Sequence, residues 1–288
     1  MDLVHILTMF AIYVLLVSSL NLLLGYGGMV SLCQAVFYGV GAYCTAVLTT
    51  RWGVPPMLAP LGSVLGGAIC AITLGWLTMP FHGDRFVLLT ISFQIIATAL
   101  FLNVTPLTGG TKGISGIPSP AFFGSQSIQT YSQLGMSVVI ASLGLMLLQR
   151  IHRSPYRRAL SAVRDDELAA SSIGKSAQYY RFSAFLIAGM LSAAAGSLYA
   201  VSISLVDPTS FTLDESIFIL MALSIGGSGN LVGPLVGTAV AVLLPEVLRL
   251  VPIEAGHAAN IRQIIYGLLL ILIIRLRPKG IAGVYDLS

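Results

Sequence analysis

The chain has 288 residues, 56% of them hydrophobic and only 9% charged, with a mean hydropathy of +0.90. That balance excludes an ordinary soluble globular domain and points to a chain that crosses a membrane several times. The net charge of +4 and pI near 9.1 fit an excess of Lys and Arg in cytoplasmic loops better than a nucleic-acid surface.

Asp2 and Arg51 bracket 48 residues without a charge, enough for two spans of about 20 residues each. The N-terminus carries Asp2 and His5 where a cleavable signal has basic residues, so the first apolar segment is expected to remain as a transmembrane helix. Apolar stretches at about 3–24, 29–50, 57–79, 85–103, 132–151, 180–205, 212–229, 233–251 and 261–276 predict an all-α, polytopic transmembrane bundle of about nine spans. Eight or ten is the alternative if a short stretch is re-entrant. The whole chain, 1–288, reads as one transmembrane domain with a cytoplasmic loop at 153–181. Nine spans with that loop inside put the N-terminus outside and the C-terminus inside. Arg85, Arg150, Arg153, Arg157, Arg158, Arg164, Lys175, Arg181, Arg275, Arg277 and Lys279 then face the cytoplasm, against Arg51, Lys112, Arg249 and Arg262 outside, the asymmetry expected of such proteins.

Span one ends in Gly25-Tyr26-Gly27-Gly28, and span seven ends in Gly226-Gly227-Ser228-Gly229, followed by Gly233-Pro234. Paired glycine-broken helices mark the halves of a transporter near its pathway; tight turns with close packing are the competing reading. Small residues at Gly62/Gly66, Gly189/Ala193/Ser197 and Gly233/Gly237 suit close helix packing in lipid. Asn21, Gln34, Thr90, Ser92, Gln94 and Thr98 are uncharged polar residues within spans, either hydrogen-bonding between helices or lining a path. The candidate pathway set is Asn21, Gln34, Gln94, Gly27, Gly28, Gly226 and Gly227. The spans are otherwise nearly bare of ionisable groups, which argues against an ion-coupled carrier; Glu246 in span eight is the acid to weigh. Segment 103–131, rich in Gly, Pro, Ser and Thr, is an exterior loop, either a solvated linker or a docking surface.

The segment from Arg153 to Arg181 is dense in charge and must lie in water. Ser154-Pro155 reads as an N-cap followed by proline at the first helical position, and Gly174 as a left-handed terminator. Between them Ala159, Ala162, Val163, Ala169, Ala170 and Ile173 fall on one helical face, interrupted by Asp166. The expectation is one capped helix whose small-residue face docks onto a partner. Gly174-Lys175-Ser176 mimics the end of a phosphate-binding loop, but Ala169 stands where that motif needs glycine. Cys33, Cys44 and Cys70 lie in apolar stretches and read as small packing residues. His5, His82, His152 and His257 fall at span ends, and neither a metal site nor a catalytic arrangement is expected.

Glu167-Leu168-Ala169-Ala170 followed by Gly174 resembles the cytoplasmic coupling motif of ABC-importer permeases. The wider run from Arg158 through Asp165, Asp166 and Glu167 to Gly174 is similar to the branched-chain amino-acid permease family. Asn21–Gly28, Gly39–Tyr43, Thr108–Gly110, Gly226–Gly229 and Arg277–Gly280 extend the resemblance over nearly the whole chain. The sequence departs from that pattern at Gln34, where histidine is expected nearby, and at Gln94, where glutamate is. The resemblance implies a permease subunit of an ATP-driven importer of branched-chain or related amino acids in the bacterial inner membrane, with urea or a short amide as the alternative cargo. It implies ATPase coupling through Arg164, Asp165, Asp166, Glu167, Ala169, Ala170 and Gly174, with no cofactor. The implied partners are a second permease in a heterodimer, two cytoplasmic ATPase subunits and a periplasmic substrate-binding protein.

Overall fold

Helices, not sheets, carry almost all of the backbone in the computed structural model, which describes residues 3–119, 126–249, 267–268 and 280–283. The order is α1 (Leu3–Asn21) running into a π-helical turn (Leu22–Tyr26), then α2 (Gln34–Thr50), α3 (Ala59–Thr78), α4 (Asp84–Asn103) and the short α5 (Thr105–Thr108). After the short strand β1 (Ile114–Ser115) come α6 (Gln126–Arg153), α7 (Pro155–Asp165), α8 (Glu167–Ser172) and α9 (Ala177–Ile203). Strand β2 (Leu205–Val206), a 3-10 turn (Pro208–Phe211), α10 (Leu213–Gly226) and α11 (Val232–Arg249) follow. Among the described residues, five helical segments are long and apolar enough to cross a membrane: Leu3–Tyr26, Ala59–Thr78, Asp84–Asn103, Tyr131–Arg153 and Ala177–Ile203. The chain is an all-α polytopic bundle. The ninth expected span, 261–276, lies outside the described residues apart from helical Gly267 and Leu268. Arg262, Arg275, Arg277, Lys279 and His257, and the side chain of Glu246, also lie outside them.

α1, α2 and α9 form the centre, where Ile12, Leu15, Leu16, Phe37, Tyr38 and Phe185 are fully buried. Lipid provides no hydrophobic drive between helices, so close approach through small residues must supply the packing. A β-carbon on Gly41 would strike the Ala193 backbone, and one on Gly196 the Tyr38 carbonyl. The spacings noted in the sequence serve the same end: Gly62 faces Leu48, Gly66 faces Cys44, and Gly189 lies against Ala71 and Phe37. Outside this centre, Leu65, Ile69 and Trp76 of α3, Leu88 and Ile95 of α4, and Val139, Leu143 and Met146 of α6 are exposed. So broad an apolar exterior fits a lipid solvent.

Two features correct the sequence expectations. α10 has 14 residues and is about 21 Å long, short of the roughly 30 Å hydrocarbon core. The chain before it does not continue as helix, because Pro208 and the Asp207 cap turn it into the 3-10 segment. Span seven as read from hydropathy, 212–229, is therefore a shorter helix entered through a buried turn. The second feature is the antiparallel pair of β1 with β2, with Ile114 opposite Val206. It ties the expected exterior loop after α4 to the connection between α9 and α10, and hydropathy carried no sign of it.

Candidate functional site

The segment expected to be one docking helix is two. Asp166 adopts an extended conformation (φ −153°, ψ 108°), ends α7, and caps α8 by accepting the Ala169 N–H at 2.9 Å on its carboxylate. The residue that interrupted the apolar face is thus the hinge between two helices, since a short acid competes well for a first-turn N–H. Pro155 opens α7, but Ser154 does not cap it through its side chain; its hydroxyl donates back to the Ile151 carbonyl. Gly174 has φ +78°, as a left-handed terminator requires.

The single small-residue face divides accordingly. Ala159, Leu160, Val163 and Ala170 are buried against the chain's own body, whereas Leu168 (79% exposed) and Ile173 (71%) face solvent, with Ala169 and Gly174 beside them. Asp165 and Asp166 are exposed and Ala162 half-buried. Arg164 and Glu167 turn inward instead. Arg164 donates to the Gly25 carbonyl at 2.7 Å, and its stem fills the space a side chain on Gly28 would need. Glu167 pairs with Arg181 at 3.0 Å and with His82 at 3.5 Å. Arg157 lies over the Tyr26 ring, 5.1 Å from its centroid. Tyr156 shares a hydrogen bond with Ser183, while burial pushes its hydroxyl pKa up. These contacts fasten α7 and α8 to the ends of α1, α3 and α9, around a cavity of about 180 Å³ lined by Gly27, Gly28, His82, Asp84, Arg164 and Arg181.

The two glycine motifs, some two hundred residues apart in sequence, meet. Asn21 Oδ1 accepts the Gly229 N–H at 2.9 Å, and Asn21 Nδ2 donates to the Asn230 carbonyl at 2.7 Å. Gly25 sits so close to Asn21 and Gly229 that no β-carbon fits. Gly226 and Gly227 are buried under Gly233, and the segment at Gly280–Ala282 adds to the cluster through Ile281 N–H to the Ile225 carbonyl at 2.9 Å. Because Tyr13 contacts Glu215 and Asn21 contacts Gly229, α1 and α10 run parallel. An odd number of intervening spans gives the same result.

Higher in the bundle lies a layer of buried polar side chains. Gln34 Nε2 donates to Ser19 Oγ at 2.6 Å and Ser192 Oγ at 2.7 Å, joining α1, α2 and α9. Gln94 Nε2 donates to the Phe211 carbonyl at 2.9 Å and its Oε1 accepts from Ser216 at 3.1 Å; Ser216 in turn accepts the Ala35 N–H. Thr90 accepts the Leu32 N–H at 3.2 Å. Thr90, Gln94 and Ser216 thus satisfy backbone groups where helices start or stop inside the bundle, as lipid-embedded chains require, whereas Gln34 joins side chains. Of the seven residues singled out for a pathway, Asn21, Gly226 and Gly227 belong to the glycine cluster, Gly27 and Gly28 border the cavity, and Gln34 and Gln94 bind helices together.

Sequence reasoning missed Glu215. It stands two residues inside the start of α10, accepts a hydrogen bond from the Tyr13 hydroxyl at 2.8 Å, and makes the spans less bare of acids than expected. Its only signal was the acidic pair Asp214-Glu215 beside an apolar run.

A family described as the branched-chain amino acid transport system / permease component matches residues 3–274. The high-affinity branched-chain amino acid transport system permease protein LivM of Escherichia coli (strain K12) is 30% identical over 303 residues, covering 96% of this chain and 69% of that protein. The probable branched-chain amino acid transport permease protein LivM of Methanocaldococcus jannaschii is 24% identical, covering 96% and 92%. The fructose import permease protein FrcC of Rhizobium meliloti is 28% identical, covering 78% and 63%. No solved structure matches the chain. The matched residues 3–274 take in all of α1 to α11, and the chain belongs to the branched-chain amino acid transport system permease family.

Proposed function

We propose that this chain is the membrane-spanning subunit of an ATP-driven importer that carries branched-chain or related amino acids across the bacterial inner membrane. Transport would run through a pathway between this subunit and a different second permease. Two cytoplasmic ATPases supply the energy and a periplasmic binding protein delivers the cargo. The observation that carries the reading is the bond from Arg164 to the Gly25 carbonyl, in the same turn that Asn21 joins to Gly229 and Asn230. A push on α7 and α8 from an ATPase reaches both glycine-broken helix pairs through these contacts without crossing a flexible linker. The ATPase contact itself is assigned to the solvent-facing Leu168, Ala169, Ile173 and Gly174, with Asp165 and Asp166 at its edge. Arg164, Glu167 and Ala170 hold the segment from behind.

Proteoliposomes carrying this chain, a second permease and two ATPases should take up leucine only with ATP and the loaded binding protein. Omitting the second permease should abolish uptake. Uptake by this chain with the ATPases alone would make the transporter a homodimer. Accumulation of urea or acetamide but not leucine would reassign the cargo, and uptake without ATP would replace the mechanism by ion coupling.

A further inference from the structure

Glu215 occupies the first turn of α10, and its neighbours set its depth. Tyr13, which donates to Glu215 Oε1 at 2.8 Å, is near the middle of the 24-residue segment Leu3–Tyr26. The next residue, Ser216, donates to Gln94 at 3.1 Å, and Gln94 lies midway along α4 (Asp84–Asn103). Two spans thus place the carboxyl near the centre of the bilayer. An ionisable group at that depth faces a cavity, a path or an opposite charge. Among the described residues the ion pairs of acidic side chains belong to Glu167, and no basic group reaches Glu215. Asp214, on the same turn, is exposed on the surface of the subunit. Two carboxyls in one turn at mid-depth do not suit a lipid-facing surface, so this side of α10 faces water or a partner.

The second observation is independent. Tyr38 is 1% exposed, and its hydroxyl has no hydrogen-bond partner. Its ring packs on Tyr199 and Phe211, with centroids 5.4 and 5.2 Å away, and Phe211 ends the turn that leads into α10. Ala35, one helical turn before Tyr38 in α2, donates its N–H to Ser216 Oγ at 2.9 Å, so α2 meets the first turn of α10 beside Glu215. A buried unpaired hydroxyl is costly, and a ligand group that pairs with it removes the cost. The carboxylate and the two phenol oxygens present three acceptors. An ammonium group has three donors and no acceptor, so it matches this set, and the tyrosine rings add a favourable face for a cation.

We propose that Glu215, with the hydroxyl oxygens of Tyr13 and Tyr38, receives the ammonium group of the transported amino acid midway across the membrane, on the side marked by Asp214. This rests on the reading of the chain as an amino-acid permease. The test uses the complete reconstituted transporter with leucine-loaded binding protein. Glu215→Gln keeps the size and the acceptor for Tyr13 but removes the charge, and should lower leucine uptake about tenfold or more. Membrane abundance and ATPase co-purification should stay at the wild-type level. Glu215→Asp, which keeps the charge, should retain several-fold more uptake than Glu215→Gln, and Tyr38→Phe should lose several-fold. Wild-type uptake by Glu215→Gln, or equal loss in Glu215→Asp and Glu215→Gln, would overturn the proposal. Should Glu215→Gln fail to assemble, the wild-type complex decides. Leucine-loaded binding protein with ATP should protect Glu215 from an apolar carbodiimide, followed by peptide mass spectrometry, and no protection refutes the site. If the wild-type complex imports no leucine at all, the amino-acid reading fails instead, a result distinct from a wild-type-like Glu215→Gln.

Discussion

Asn21 joins two breaks in the helical chain with one carboxamide. Its oxygen takes the Gly229 N–H and its nitrogen serves the Asn230 carbonyl, groups that the turn between α10 and α11 leaves free. Asn21→Leu keeps the volume and removes both bonds, leaving a buried N–H unpaired at a cost of about 1–3 kcal/mol. The expected result is a purified protein whose melting temperature in detergent falls by roughly 4 °C. Proteolysis should increase at Gly226–Gly229. An unchanged melting temperature would mean that the two glycine motifs are held together by packing alone. Asn21 was legible as a polar residue in a span, and the glycine motifs as breaks. Their meeting was not, because no local pattern reports contact across two hundred residues. Glu215 was hidden for a related reason: hydropathy placed it at the outer end of a span, and only the contacts of Tyr13 and Gln94 bring it to mid-depth.

At the scale of elements, the helix ends set by Pro155 and Gly174 were legible, while the Asp166 cap and the facing of the helices were not. Pro155 and Gly174 mark the ends of the charged segment as their backbone preferences require. The run of small residues, however, was read as a surface for a partner, and much of it is the chain's own packing: Ala159, Val163 and Ala170 are buried. A small apolar residue looks the same in sequence whether its neighbour is this chain or another. The break at Asp166 then sets α8 so that Leu168, Ala169 and Ile173 meet solvent while Ala170 is buried. Leu168→Asp puts a charge on that exposed face and touches no internal contact. It should leave membrane abundance unchanged while sharply lowering ATPase co-purification and leucine uptake. Ala170→Asp should instead lower abundance, since an unpaired charge would be forced into a buried site. Equal ATPase recovery with Leu168→Asp and wild type would move the docking surface elsewhere.

For the molecule as a whole, hydropathy located eight of the expected segments as helices, with boundaries displaced where glycine, proline or a π-helical turn interrupts them. Orientation rests on charge. Arg85, Arg150, Arg153, Arg157, Arg158, Arg164, Lys175 and Arg181 gather at one end of the bundle, where Arg164 meets the Gly25 turn and Arg181 meets Glu167. Arg51 and Lys112 belong to the other, where β1 pairs with β2. Since Lys and Arg are retained on the cytoplasmic side, the α7–α8 end should be inside and the β1–β2 end outside. In a functional background with Cys33, Cys44 and Cys70 replaced, a cysteine at the exposed Lys112 should react with a membrane-impermeant thiol reagent in intact spheroplasts. One at the exposed Ser172 should react only after permeabilisation. Both positions lie on the surface and outside the five membrane-crossing segments, so poor access cannot imitate the result. Labelling of Ser172 from outside with Lys112 protected would invert the molecule. An inverted molecule would put Leu168 and Ile173 beyond the reach of any cytoplasmic ATPase, and the coupling assignment would fall with the orientation.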